Sequence, residues 1–428
     1  MEYAFPANLA DEVAERWQTF APEPDGRGLR LPAPAQLRHI LEAAFFASLE
    51  REEGRDLRFV LCCTPAVEVL RDGFGEAVPV APLIAPRPLG VDAIRALAPA
   101  VSPTNAAILV RWPPDRQDAE ACEIAGILHV GAHLARARSG RSFHYRPAPY
   151  ALVIDVRDAG ELHVYRGSVK LAAMKAGRLR DQIAFSSLEF LQISDILTRG
   201  EQALRPGEES SEFAWTALLN TILCIVNGIK EHGHGGTVLL VAPDSEWSLP
   251  VRMKYDIDER ARVLGQRFVR FLSVGSALME RQRRRKAGRQ TSGAAALAAL
   301  QTAAFAAETD LADAADLVSR WSAVDGAVAL GSDLRVLGFG AEIVLDAAKP
   351  VQAFELAEGA DRTALRTTVD SESFGMRHRS ALRCVAVAER TAAFVVSQDG
   401  AVSFFWKHNG DVYLKRDVNT ANPNVVGG

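Results

Sequence analysis

Apolar positions along this chain alternate between short continuous runs and longer stretches with helical spacing, the two signatures of strand and helix. Residues 1–35 mix proline, glycine and charge and predict a lead helix and a loop. Leu37, Ile40, Leu41, Ala44 and Phe45 then share one face of a helix running from Ala35 to Arg51. Arg58-Phe59-Val60-Leu61-Cys62-Cys63 follows as a buried strand. Proline punctuates Val78 to Pro114, leaving Ala106–Val110 and Gly126–Val130 as short strand or helix pieces. Ala151–Val156 and Glu161–Tyr165, joined at Asp158-Ala159-Gly160, predict a hairpin.

Longer helical patterns dominate the next stretch. Two helical segments lie between residues 187 and 231, parted by Pro206-Gly207-Glu208-Glu209-Ser210-Ser211, with a cap at the start of the second, which runs from Ser211 to Lys230. Gly233-His234-Gly235-Gly236 turns the chain into Thr237-Val238-Leu239-Leu240-Val241, a buried central strand. Residues 257–320 are helical again, with a loop at Gln290-Thr291-Ser292-Gly293. The tail returns to strands at Ala327–Leu330, Val336–Phe339, Ala393–Ser397 and Val402–Trp406. These patterns predict an α/β protein: an N-terminal α/β domain over residues 1–190, and a C-terminal mixed β-sheet flanked by helices over 191–428. Residues 257–320 enter the second domain as a helical insertion.

A length of 428 residues gives each domain room for its own core. The net charge of -4 exerts no pull toward nucleic acid or anionic lipid. The one basic run, Arg281-Gln282-Arg283-Arg284-Arg285-Lys286 with Arg289, has no interleaved aromatics and reads as a solvated helix end. Five cysteines without metal or framework spacing fit reduced thiols. No signal peptide pattern opens the chain, and no uninterrupted apolar stretch reaches the roughly 20 residues of a membrane span. A cytoplasmic location without a membrane partner is the expectation.

Two segments carry candidate chemistry. Gly375-Met376-Arg377-His378-Arg379 gathers forked cationic donors behind a glycine, a combination suited to phosphate. Taken alone, it could equally be a solvated basic turn. Asp325-Gly326-Ala327 puts one carboxylate at the mouth of a strand, where a divalent metal could bind, though Asp-Gly by itself is a common turn pair. His232-Gly233-His234 lacks a third ligand at a metal spacing and reads as part of the turn into the next strand.

With these segments in order, the C-terminal half resembles the diadenylate cyclase domain, the nucleotide-binding domain of the DNA integrity scanning protein and of membrane-linked cyclases. The resemblance rests on Gly236-Thr237-Val238-Leu239-Leu240, Asp325-Gly326-Ala327-Val328, Gly375-Met376-Arg377-His378-Arg379-Ser380-Ala381 and Val395-Val396-Ser397. It covers about residues 211–415, and the region before 190 is loosely similar to sensor domains upstream of such cyclases. The resemblance implies condensation of two ATP into cyclic di-AMP with release of pyrophosphate, regulated by the N-terminal domain. By it, Asp325 is the catalytic residue and the ligand of Mg²⁺ or Mn²⁺. Gly326, Ala327, Gly375, Arg377, His378, Arg379, Ser380 and Ser397 bind the ATP. The partners it implies are ATP and a second copy, in a face-to-face homodimer or higher oligomer.

The chain departs from the family at three points. Met376 replaces a threonine hydroxyl with a thioether, the interval from Asp325 to Met376 is longer than usual, and the segment 257–320 is added. A second expectation therefore stands beside the enzyme: a catalytically weak or inactive module that binds ATP or a cyclic dinucleotide.

Overall fold

The computed structural model describes residues 3–19, 30–66, 70, 78–103, 105–129, 151–167, 169–179, 187–258, 263–286, 294–345, 351–358, 364–418 and 420. They divide into two units, 3–179 and 187–420. Both are mixed α/β, each built on its own sheet.

In the first unit the helices are α1 (Pro6–Thr19), α2 (Pro34–Ser48) and α3 (Val91–Leu97). Its strands are β1 (Arg51–Glu52), β2 (Arg55–Asp56), β3 (Phe59–Thr64), β4 (Val80–Pro88), β5 (Ala106–Arg111), β6 (Glu123–His129), β7 (Leu152–Asp158), β8 (Glu161–Arg166), β9 (Val169–Lys175) and β10 (Arg178–Leu179). β1 and β2 pair with each other, and the other eight form a sheet in the order β10-β9-β8-β7-β3-β5-β6-β4. Among the described strands of this sheet only β3 and β5 run parallel, with α3 in the connection between them. Leu9, Val13, Leu37, Ile40 and Leu41 from α1 and α2 pack with Phe59, Leu61, Ile154 and Val164 on one face. Pro82, Pro86 and Pro88 lie on β4, where an edge position and a break in register spare them a central ladder.

The second unit holds α4 (Ser187–Leu204), α5 (Glu212–His232), α6 (Val263–Lys286), α7 (Ala294–Arg320) and α8 (Met376–Val387). Its strands are β11 (Gly236–Val241), β12 (Val251–Arg252), β13 (Tyr255–Asp256), β14 (Ala327–Gly331), β15 (Val336–Ile343), β16 (Ala353–Glu358), β17 (Ala364–Val369), β18 (Thr391–Val396), β19 (Val402–His408) and β20 (Asp411–Lys415). The sheet order is β12-β15-β14-β11-β18-β19-β20-β16-β17, with β13 also on β15.

β11 is central and buried throughout, and alternate side chains serve two cores. Val238 and Leu240 meet helices α4 to α7, whereas Leu239 meets Ala381, Leu382 and Val385 of α8. A strand covered on both faces needs a near-continuous apolar run, which is how β11 reads. The Ser211 hydroxyl accepts from the Ala214 amide and starts α5 as its sequence predicts. By length and composition α5 is long and apolar enough to cross a membrane, but 78% of that window is buried inside the unit.

Three features differ from the expectation. Residues 257–320 are not a surface insertion: Phe268, Phe271, Leu311, Ala315 and Val318 of α6 and α7 belong to the same core as Val238 and Val328. β11 and β14 are parallel, so their connection has to cross a sheet face, and this helical pair is that crossover. The loop expected at 290–293 lies outside the described residues. The segment after Gly375 is the first turn of helix α8. Finally, β16, β17 and β20 extend the sheet beyond the strands foreseen in the tail.

Candidate functional site

The ladder register brings the two motif segments to one end of the second sheet. Thr237 pairs with Ala327 on one side of β11 and Gly236 pairs with Val396 on the other. Asp325 and Gly326 therefore lead into β14, and Ser397 leaves β18, beside the glycines that open β11. At ordinary strand spacing the two flanking strands stand about 10 Å apart.

Arg377, in the first turn of α8, reaches the same place. Its Nη1 donates to the His234 carbonyl at 3.4 Å. A Cβ on Gly235, which has φ +66, would lie 2.7 Å from that Nη1 and 2.8 Å from the Val396 carbonyl oxygen. Gly235 is thus required for the close approach of Arg377 to the strand. Among the described residues no carboxylate pairs with Arg377.

Asp325 is fully exposed at its side chain. Gly326 follows at φ +123, and a Cβ there would meet the Gly340 carbonyl carbon at 2.5 Å and the Ala341 nitrogen at 2.8 Å. This glycine is explained by the approach of β15. Gly375 has open space around its missing Cβ and caps α8 with no side-chain hydrogen bond. Ala327 is buried between α8 and the sheet, and Ser380 and Ser397 are half-buried. The Ser397 amide is bonded to the Ala401 carbonyl at 2.8 Å in the turn after β18.

The Arg-His-Arg run does not aim its side chains in one direction. Arg377 points to the β11 start, while Arg379 Nη1 bonds Glu372 Oε2 at 3.1 Å, a carboxylate shared with Arg383. His378 Nε2 lies 3.1 Å from Ser403 Oγ, and its ring stacks on Phe374 and meets Phe405 edge-on. Burial, with a smaller contribution from the Arg416 charge, pushes its pKa below the ordinary 6.5. His378 is therefore neutral at pH 7 and serves as a packed donor or acceptor, not a third cation.

Since the unfolded chain binds the proton more readily, His378 adds stability above pH 6.5 that is lost as the pH falls through 6.5 toward the folded value. In a nuclear magnetic resonance titration the His378 ring should show a midpoint below 6.5. A midpoint at or above 6.5 contradicts this environment.

Electrostatically, α8 is unusual. The positive end of its macrodipole carries Arg377 and Arg379 and no acidic residue in the first turn. Uncapped first-turn amides, a guanidinium without a carboxylate and an exposed aspartate at one sheet end suit a polyanion carrying a divalent cation. Among the described residues no cluster of three or more His, Cys, Asp or Glu side chains could hold a metal ion, so a Mg²⁺ or Mn²⁺ at Asp325 would take the rest of its ligands from phosphate oxygens and water.

Sequence reasoning missed Gly235 as the seat of Arg377, and also Lys254, whose Nζ lies 3.9 Å from Asp325 Oδ2. The double glycine hinted at the first, but no pattern marked the second. No curated protein matches the chain. Residues 28–129 match the model of the family described as "Probable sensor domain DACNV", which fits an N-terminal sensor domain of a DAC-type protein.

Proposed function

We propose that the second unit condenses two ATP molecules into cyclic di-AMP under control of the N-terminal sensor domain. The observation that carries this is the register that sets Asp325 and Arg377 on either side of the β11 start. In this reading Arg377 and the first-turn amides of α8 hold the phosphates, and Asp325 holds the metal. Arg379, held by Glu372, adds positive potential, and neutral His378 fixes the turn through Ser403 and Phe374. A bound Mg²⁺ or Mn²⁺ supplies Lewis acidity at the 3′-hydroxyl and neutralises charge on the α-phosphate.

Each of the two condensations forms one 3′-oxygen to α-phosphorus bond, releases the hydroxyl proton and expels one pyrophosphate, and the second closes the ring. Two such bonds between two nucleotides need two sites facing each other. The exposure of Asp325, Gly375 and Arg377 on the single chain is consistent with a site completed by a second copy.

One observation favours a binding module instead. Met376 is 76% exposed at the first helical position, where its thioether offers phosphate no hydrogen-bond donor. Calorimetry with a non-hydrolysable ATP analogue, alongside mass analysis of ATP incubated with Mn²⁺, separates the two. The cyclase reading expects Arg377→Ala to weaken analogue binding about tenfold, and it expects product from the wild type. Binding without product, restored to turnover by Met376→Thr, selects the module. Binding unaffected by Arg377→Ala removes both.

A further inference from the structure

The Asp325 carboxylate already has a cation beside it. Lys254 Nζ donates to the Asp325 main-chain carbonyl at 3.1 Å and lies 3.9 Å from Asp325 Oδ2 and 3.5 Å from Glu342 Oε1. The ammonium donates to the main-chain carbonyl, and the two carboxylates stand at ion-pair distance on either side of it. The lysine stem reaches them by crossing Gly340: a Cβ at that position would lie 3.1 Å from Lys254 Cβ and 3.2 Å from Cδ. A side chain at 340 would crowd this track along β15. Glu342, held below the usual carboxylate range by Arg252 and Lys254, stays ionised and anchors the ammonium on its other side.

We propose that Lys254 is a resident cation that competes with divalent metal for Asp325 and lowers the metal affinity of the nucleotide-free site. This rests on the reading of Asp325 as metal ligand. An ammonium about 4 Å from the carboxylate repels an arriving Mg²⁺ or Mn²⁺ and has to swing away from it. Asp325 is fully exposed and Lys254 is 36% exposed at its side chain, so water screens the effect to a few-fold. Substrate phosphates, not further protein carboxylates, then complete the metal's ligand shell.

The test is Mn²⁺ binding to the full chain at low ionic strength, read from the electron paramagnetic resonance signal of the free ion. Lys254→Met should tighten binding to the nucleotide-free protein about fivefold. Lys254→Arg, which keeps the charge, should leave it near the wild-type value. Asp325→Asn should remove it in either background. Lys254→Gln serves as a second neutral variant if the methionine variant melts early. Unchanged Mn²⁺ affinity in both neutral variants, with Asp325→Asn still abolishing binding, overturns the role of Lys254 and leaves the metal reading intact. Mn²⁺ binding that survives Asp325→Asn overturns both.

Discussion

Asp325→Asn should lower the conversion of ATP to cyclic di-AMP at least ~10³-fold while leaving the thermal midpoint of the protein almost unmoved. The carboxylate is fully exposed and supports no packing, so its loss should leave the fold's stability almost unchanged. On the proposed reading, what it removes is the anchor for a cation that would stabilise developing charge on the phosphate. The substitution keeps size and one oxygen but loses the charge that would hold the metal, so the effect should fall on turnover. Mass-resolved product formation and a melting curve on the same preparation check both halves. A variant with wild-type turnover contradicts the role of Asp325, and one that is inactive because it is unfolded contradicts its placement.

Gly326→Ala should act in the opposite way, through stability. At φ +123 an alanine is strained, and its Cβ would meet the Gly340 backbone at 2.5 Å, where no flexible side chain can yield. Conformational strain and overpacking together should cost about 3 kcal/mol, which lowers the midpoint by roughly 8 °C for a unit of this size. Gly375→Ala is the matched comparison. Its φ of -63° is ordinary and its missing Cβ faces open space, so its stability should change by no more than about 0.5 kcal/mol. Scanning calorimetry of the two variants decides the point: equal midpoints would contradict the tight β14–β15 approach.

That contrast shows how far the chain can be read before its fold is known. β3 and β11 were legible because burial on both faces demands uninterrupted apolar residues. α5 was legible from its serine cap and the apolar positions along it. Helix α8 was not, because glycine caps it without a side-chain bond and its first turn is basic, against the usual preference at a helix N-terminus.

β16, β17 and β20 were missed for another reason. Their alternating charged and apolar residues are short, and their place is set by pairing with distant strands. The role of α6 and α7 depended likewise on knowing that β11 and β14 are parallel. For the candidate site, the motifs named Asp325 and Arg377 through a family resemblance, but their placement at one sheet end, on either side of β11, follows from strand pairing. The turn of helix α8 separates Arg377, beside the β11 start, from His378 and Arg379, which pair elsewhere. The seat at Gly235 and the lysine at 254 depend on backbone approach, which residue spacing does not encode.

The central claim is that this sheet end holds one nucleotide and that two such ends together join two nucleotides. Incubating the full chain with Mn²⁺ and an equal mixture of ordinary and isotopically labelled ATP, with products weighed by mass spectrometry, tests it most directly. The account predicts cyclic di-AMP in unlabelled, singly labelled and doubly labelled forms, at close to one to two to one. ATP returned unchanged, or converted only to ADP or AMP, contradicts it.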